Sequence, residues 1–160
     1  MNKLLKIAVY SFVLIAIYRG AKVLTVTDNS EINVLARTIW GEARGEGYAG
    51  MQAVANVIMN RVKRGGWYGL TVTEVCKKPY QFSCWNVNDP NYAKIKNVTT
   101  DNNQFLQALE IARQAVAGTL PDITSGATEY HAISIKPNWN YAKLEEVGVI
   151  GNHKFYRSIA

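Results

Sequence analysis

A glutamate at the edge of an apolar helical stripe is the side chain best suited to acid–base chemistry in this sequence. Apolar residues recur at intervals of three and four from Ile32 to Ala43, which predicts an amphipathic helix with Leu35 and Ile39 facing a core. At 100° per residue, Glu42 falls about 20° from Leu35, at the margin of that stripe. A carboxyl group there is partly removed from water, so its pKa rises and it can serve as a general acid, for example toward a glycosidic oxygen.

Other roles for the carboxylates in this region stay open. Glu42 can instead form a surface ion pair with Arg37 or Arg44, as most glutamates at helix edges do. Glu46 projects into the same stripe if the helix continues past the preceding glycine, which makes it a possible second carboxylate; otherwise it is a salt-bridge partner at the helix end. Glu129 is the other possible second carboxylate.

A second segment, residues 79–85, combines aromatic rings with amide and hydroxyl groups. Sugar rings have apolar faces and polar rims, so this combination is suited to a carbohydrate-binding groove, although a core aromatic cluster has the same composition. Aromatic and histidine residues near the C-terminus can form the opposite wall of such a groove. The candidate substrate-binding residues are Tyr80, Gln81, Phe82, Ser83, Trp85, Tyr130, His131, Trp139 and His153.

The sequence contains two histidines, His131 and His153, and no recognisable metal-binding motif. No metal and no cofactor is therefore predicted. The two histidines can still combine with Glu129 or Asp122 in space, so a zinc site stays open as an alternative. The absence of G-x-S-x-G, Walker A and G-x-G-x-x-G motifs argues against acyl hydrolases and nucleotide-binding enzymes.

The charge of the chain favours a polyanionic partner. Its 18 Lys+Arg against 12 Asp+Glu give a formal net charge of +6. Such a balance is typical of proteins that bind nucleic acid, an anionic membrane or an acidic cell-wall polymer. No nucleic-acid-binding motif is present, so nucleic acid is not expected as a partner, and we expect a monomer.

The N-terminal segment is typical of an export signal. Two lysines precede an apolar run over residues 7–18, and Arg19 and Lys22 follow it. The run is shorter than the roughly 20 residues of a stable membrane span, and no small-x-small cleavage site follows. Residues 1–24 are predicted to be a marginal signal-anchor or a signal peptide, with a helix packed on the domain as the alternative. Export places the protein in the periplasm or tethers it to the inner membrane.

Export also bears on the two cysteines, Cys76 and Cys84. In an oxidising compartment a disulfide that closes this short loop is expected, whereas in the cytosol two buried free thiols are expected. Since the N-terminal segment favours export, we predict a possible disulfide between them.

The remaining sequence predicts a mainly helical α+β domain over residues 32–160, after a polar linker at 25–31. A segment at 51–62 is apolar nearly all round and should be a buried central helix that ends at two glycines. A short helix capped by Thr71 or Thr73 follows, and residues 79–98 are predicted to form an ordered loop. A third long helix starts at Asn102 or Asn103. Residues 127–135 and 153–159 are predicted to be short strands or extended loops.

Taken together, these segments resemble the SleB/CwlJ-type cell-wall hydrolases, the family of the spore cortex-lytic enzymes. The resemblance covers roughly residues 32–157. It rests on G-E-A-R-G-E at 41–46, A-V-A-N-V-I-M-N-R-V at 53–62, Q-F-S at 81–83, G-A-T-E-Y at 126–130, P-N-W at 137–139 and G-N-H-K-F-Y at 151–156. The family resembles the lysozyme-like and lytic-transglycosylase fold, which implies that Glu42 is the catalytic residue and faces a sugar groove.

The resemblance implies an enzyme that cleaves peptidoglycan between N-acetylmuramic acid and N-acetylglucosamine. A hydrolase needs a second carboxylate, about 5 Å away for retention and about 6.5–9.5 Å for inversion, whereas a lytic transglycosylase needs one. Because Glu46 and Glu129 are the available second carboxylates and neither is decisive, a transglycosylase is favoured over a muramidase. The alternatives are a zinc-dependent N-acetylmuramoyl-L-alanine amidase that uses His131 and His153, and a non-catalytic wall-binding or membrane-tethered module.

The format of the chain adds a further expectation. It is short and basic, begins with a marginal membrane segment and carries none of the additional wall-binding domains usual in spore enzymes. This format is similar to that of phage endolysins released from a signal-anchor, which implies a role in host cell lysis.

Overall fold

The computed structural model describes residues 30–159 of the chain. The predicted signal-anchor at 1–24 and most of the predicted linker lie outside the described residues. Helix α1 spans residues 30–43, so it begins two residues before the predicted domain boundary. Within the described part of the chain, no helix is both long and apolar enough to cross a membrane.

The described residues form a mainly helical α+β domain, as predicted. The helices after α1 are α2 (Gly47–Arg64), α3 (Val72–Lys77), α4 (Tyr92–Asn97) and α5 (Asn103–Val116). The strands are β1 (Glu129–Ala132), β2 (Leu144–Ile150) and β3 (His153–Ser158). They form an antiparallel sheet in the order β1-β3-β2, with a turn between β2 and β3.

Helix α2 lies at the centre of the fold, as its apolar pattern predicts. Its buried residues run from Gly50 to Arg61, and α3, α5 and β2 pack against it. Leu35 and Ile39 of α1 are fully buried in the same core. The helix ends at Gly65, whose φ of 64° is a left-handed conformation that glycine adopts without steric cost.

The sheet packs one face against α2. Ala53 and Val57 of α2 form a second apolar cluster with Phe155, and Tyr130 packs against that cluster. Tyr130 is paired with Phe155 across the sheet, and successive side chains of a strand point to opposite faces. Tyr130 and Phe155 therefore face α2, while His131, Lys154 and Tyr156 face away from it. We call the face turned away from α2 the outer face.

Two elements were not predicted. Helix α4 lies inside the predicted loop at 79–98, and its six residues bury only Ile95, too little for a helical period to be visible. Strand β2 was missed because its register shifts between Glu146 and Gly148, where a β-bulge interrupts the alternation of side chains.

The predicted disulfide is absent. Cys76 on α3 and Cys84 on the 3₁₀ turn Ser83–Trp85 are free thiols, and both are buried in the main hydrophobic core. Burial raises the pKa of the Cys76 thiol to about 12, so the reactive thiolate is strongly disfavoured. Cys76 therefore acts as a small apolar core residue here.

The N-terminus of α5 depends on Asn102 rather than Asn103. The Asn102 side-chain oxygen accepts hydrogen bonds from the Phe105 backbone N–H at 2.9 Å and from the Trp40 indole N–H at 3.2 Å.

We expect Asn102→Ala to lower the free energy of unfolding by about 1–2 kcal/mol, measured by urea denaturation, because both donors lose their acceptor. Asn103→Ala is the matched control, since that side chain is exposed. Equal destabilisation by the two substitutions would contradict this assignment.

Candidate active site

A groove of about 410 Å³ lies beside the end of α1. It brings together segments that are distant in sequence: the end of α1, the end of α2 with the turn after it, the loop that follows α3, strand β1, and the loop before β2. Its lining residues are Glu42, Arg61, Trp67, Tyr80, Gln81, Glu129, Tyr130 and Trp139. The groove therefore combines two carboxylates with an aromatic wall and an amide.

Glu42 lies half-buried in this groove, in the last turn of α1. The Tyr130 hydroxyl donates a hydrogen bond to its Oε2 atom at 3.0 Å, and the backbone N–H and thiol of Cys84 donate as well. Burial raises the pKa of the Glu42 carboxyl, and these hydrogen bonds oppose that rise without cancelling it. Glu42 therefore keeps its proton at higher pH than an ordinary glutamate, which suits a general acid.

The two arginines considered as partners of Glu42 are engaged elsewhere. Arg37 donates to three carbonyl oxygens at the C-terminal end of α4, and Arg44 donates to the Asn91 side chain at 2.8 Å. Among residues 30–159, no basic side chain lies within ion-pair distance of Glu42. The surface ion-pair alternative is therefore wrong, and the two arginines attach the α4 region to α1.

Arg61 holds the other carboxylate of the groove. Its guanidinium donates to Glu129 Oε2 and to Gln81 Oε1, both at 3.2 Å. The Tyr68 hydroxyl donates to Glu129 Oε1 at 2.6 Å. Arg61 is only 5% exposed, so its charge requires a partner, and Glu129 supplies it. Both carboxylate oxygens of Glu129 are thus bound to protein donors, unlike those of a free catalytic carboxylate.

Glu46 lies away from the groove and attaches the β2–β3 turn to the start of α2. Its carboxylate accepts hydrogen bonds from the Asn152 backbone N–H at 2.7 Å and from the Asn152 side chain at 3.3 Å. The backbone hydrogen bond lowers the pKa of Glu46. Gly151 has a φ of 58°, and a Cβ atom there would lie 2.4 Å from the carboxylate, so both the turn and this contact favour glycine. In this structure the Glu46 carboxylate holds the β2–β3 turn and does not line the groove.

The predicted substrate-binding residues divide into two groups. Tyr80, Gln81, Tyr130 and Trp139 line the groove. Phe82 instead lies in the core, 1% exposed, and Trp85 packs against the core while its indole N–H donates to Thr38 at 2.9 Å. Ser83 hydrogen-bonds the Asp89 carboxylate. Phe82 and Trp85 therefore belong to an aromatic cluster of the core rather than to the wall of the groove.

The two histidines lie on opposite faces of the sheet. His131 is on the outer face, with its Nε2 atom 3.1 Å from the Tyr156 hydroxyl. His153 is on the other face and packs edge-on against Tyr130, with ring centroids 5.2 Å apart. Burial lowers the pKa of His153. Among the described residues, including Glu129 and Asp122, no three or more His, Cys, Asp or Glu side chains are grouped to hold a metal ion.

Sequence reasoning missed Arg61 and Trp67 as groove residues. Arg61 lies four residues after Val57 and three after Ile58, so it falls on the buried side of α2. A charged residue at such a position is a signal of a buried polar interaction. Trp67 follows the two glycines after α2 and carries no periodic signal.

The fold and the groove define a lysozyme-like domain, mainly helical with a small sheet and a half-buried glutamate on a helix facing an aromatic groove. The chain belongs to the Cell Wall Hydrolase family, whose profile matches residues 45–156. Glu42 lies three residues before the matched region.

Several relatives are spore cortex-lytic enzymes. That of Halalkalibacterium halodurans is 29% identical over 130 residues, covering 79% of this chain and 34% of the relative. That of Bacillus cereus is 28% identical over 135 residues, covering 81% and 46%. The chain thus spans less than half the length of these relatives.

Two solved structures are similar to the described domain. The catalytic domain of the Bacillus cereus SleB protein has a TM-score of 0.63 and 28% identity, covering 81% of this chain and 91% of that chain. The catalytic domain of the germination-specific lytic transglycosylase SleB from Bacillus anthracis has a TM-score of 0.60 and 28% identity, covering 79% and 93%.

The hydrogen bond from Tyr130 has a testable effect on Glu42. This hydrogen bond stabilises the ionised carboxylate, so its loss in Tyr130→Phe should raise the pKa of Glu42 further. Carbon NMR titration of the glutamate carboxyl groups should therefore show the Glu42 signal titrating at higher pH in the variant. Tyr48→Phe, which alters an exposed tyrosine outside the groove, is the control and should leave the titration unchanged. An unchanged or lower midpoint in Tyr130→Phe would contradict the role given to this bond.

Proposed function

We propose that this protein is a lytic transglycosylase that cleaves peptidoglycan between N-acetylmuramic acid and N-acetylglucosamine, with Glu42 as its single acid/base. The observation that carries the proposal is the difference between the two groove carboxylates. Glu42 is half-buried with a raised pKa and has no cationic partner among the described residues, whereas Glu129 is bound by Arg61 and Tyr68. Family membership and the similarity to a SleB lytic transglycosylase support the same reaction.

In the proposed reaction Glu42 gives one proton to the leaving group and takes another from the substrate, so its acid form is restored. The protonated carboxyl donates to the glycosidic oxygen as the bond to C1 of N-acetylmuramic acid breaks with oxocarbenium character. The Glu42 carboxylate then removes the proton from the C6 hydroxyl of the same sugar, and the C6 oxygen bonds to C1. The products are a 1,6-anhydro end and a new N-acetylglucosamine terminus, with no water consumed. Tyr130 stabilises the carboxylate between the two steps, because its hydroxyl donates to Oε2.

A muramidase is the second candidate, since Glu129 lines the same groove as Glu42. In that reaction water attacks C1 and leaves a reducing end. It requires Glu129 to act on water or on the sugar despite its bonds to Arg61 and Tyr68.

Mass spectrometry of digested peptidoglycan separates these reactions. We expect the full chain to release anhydro-muramyl products, and Glu42→Gln to lower the rate roughly a hundred- to ten-thousand-fold, because no proton donor remains. Glu110→Gln on α5 is the matched control, since Glu110 is exposed and does not line the groove.

Other products would contradict the proposal in distinct ways. Reducing ends would show that the enzyme is a muramidase, with Glu129 as the candidate second carboxylate. Free stem peptides that persist in Glu42→Gln would establish an amidase instead. If neither the full chain nor its Glu110→Gln variant releases fragments from peptidoglycan, the result would support a non-catalytic wall-binding module.

The substrate places the proposed activity outside the cytoplasm, and we propose that residues 1–24 tether the enzyme to the membrane in the manner of a signal-anchor endolysin. We expect the full chain to fractionate with membranes. A chain without residues 1–24, exported behind a cleavable signal peptide, should be soluble and active on the wall. Deletion that leaves the protein folded but inactive, or a full chain found wholly in the soluble fraction, would contradict the tether.

A further inference from the structure

A second cavity lies on the outer face of the sheet, and the proposed reaction does not use it. Its volume is about 420 Å³, similar to that of the groove around Glu42. Its aromatic floor consists of His131 stacked on Tyr156, with ring centroids 5.4 Å apart, and Tyr141 edge-on to Tyr156 at 5.7 Å. The cavity is therefore a distinct, aromatic-lined site beside the groove.

The rim of this cavity is apolar. Ile133 and Ile135 line it and are 52% and 59% exposed. Exposed isoleucines around an aromatic floor form an apolar surface that folding has not covered. Small apolar groups of a ligand, such as methyl groups, can bury themselves there.

The cavity also carries net positive charge, because two lysines face one glutamate. Lys154 pairs with Glu146 at 3.3 Å. Lys136 lies over the Tyr141 ring, 5.8 Å from its centroid, and no carboxylate between residues 30 and 159 is within ion-pair distance of it. An unpaired ammonium at an aromatic and apolar cavity is suited to a carboxylate of a ligand.

Trp139 connects this cavity with the groove. Its ring lines the groove that contains Glu42 and contacts the cavity floor, with centroids 5.5 Å from His131 and 6.1 Å from Tyr156. In β1, Tyr130 reaches Glu42 while the next residue lines the cavity. A substrate held at Glu42 therefore has this cavity immediately beyond Trp139.

We propose that the cavity binds the stem peptide of the muramic acid residue at which the chain is cleaved, an inference that rests on the proposed function. Stem peptides carry alanine methyl groups and free carboxylates, which match the isoleucine rim and Lys136. A further sugar is less suited to this cavity because both tyrosine hydroxyls are engaged, Tyr156 with His131 and Tyr141 with the Pro137 carbonyl. The cavity thereby makes the enzyme selective for peptide-bearing glycan.

The test compares kcat/KM of the full chain on peptide-bearing glycan strands and on the same strands freed of peptides by an amidase. Lys136→Gln should lower kcat/KM on the peptide-bearing strands about two- to fivefold, the effect of one exposed ion pair, and leave the peptide-free strands unaffected. Lys136 is exposed, so the variant should fold normally. Lys143→Gln is the matched control, since this exposed lysine nearby does not line the cavity, and it should change neither rate.

The outcomes separate the two proposals. No cleavage of either strand by the unmodified chain rejects the proposed function itself. Cleavage of both strands, with Lys136→Gln having no effect or an equal effect on each, rejects stem-peptide binding and leaves the proposed function intact. A loss that Lys143→Gln reproduces also rejects it, because it would reflect overall charge alone.

Discussion

The contact between Glu42 and Tyr130 joins the helical part of this protein to its sheet at the point where the proposed chemistry occurs. Glu42 comes from the last turn of α1, and Tyr130 comes from β1, 88 residues later. Burial opposes ionisation of the carboxyl, and the tyrosine hydroxyl favours it. The balance leaves a carboxyl whose pKa is above that of an ordinary glutamate, beside a donor that stabilises its conjugate base.

This contact requires that the sheet be held firmly against the helices, and α2 provides that support. Ala53 and Val57 pack against Phe155 on the inner face, and Tyr130 lies on the same face. From the same helix, Arg61 reaches the groove and binds Glu129. One central helix thus sets the position of the sheet and neutralises the second carboxylate, which distinguishes the roles of the two acids.

The two arginines near Glu42 in sequence are held out of ion-pair distance of it. Arg37 of α1 and Arg44, which directly follows it, turn toward the α4 region, where carbonyl oxygens and the Asn91 side chain accept their hydrogen bonds. An arginine beside Glu42 would favour the ionised carboxylate and remove the general acid. Helix α4, which the sequence pattern did not reveal, therefore has an electrostatic consequence for the groove.

The sequence by itself determined the helical class of the domain, the central position of α2 and the exceptional position of Glu42, because periodicity and desolvation at a stripe edge are local properties. It also identified the segments around Gln81 and Tyr130 that line the groove. Only the tertiary structure decided which aromatic residues face the groove and which, like Phe82, lie in the core, since both environments favour the same side chains. The role of Arg61 and the free state of the cysteines likewise depend on which distant residues meet, and composition does not carry that information.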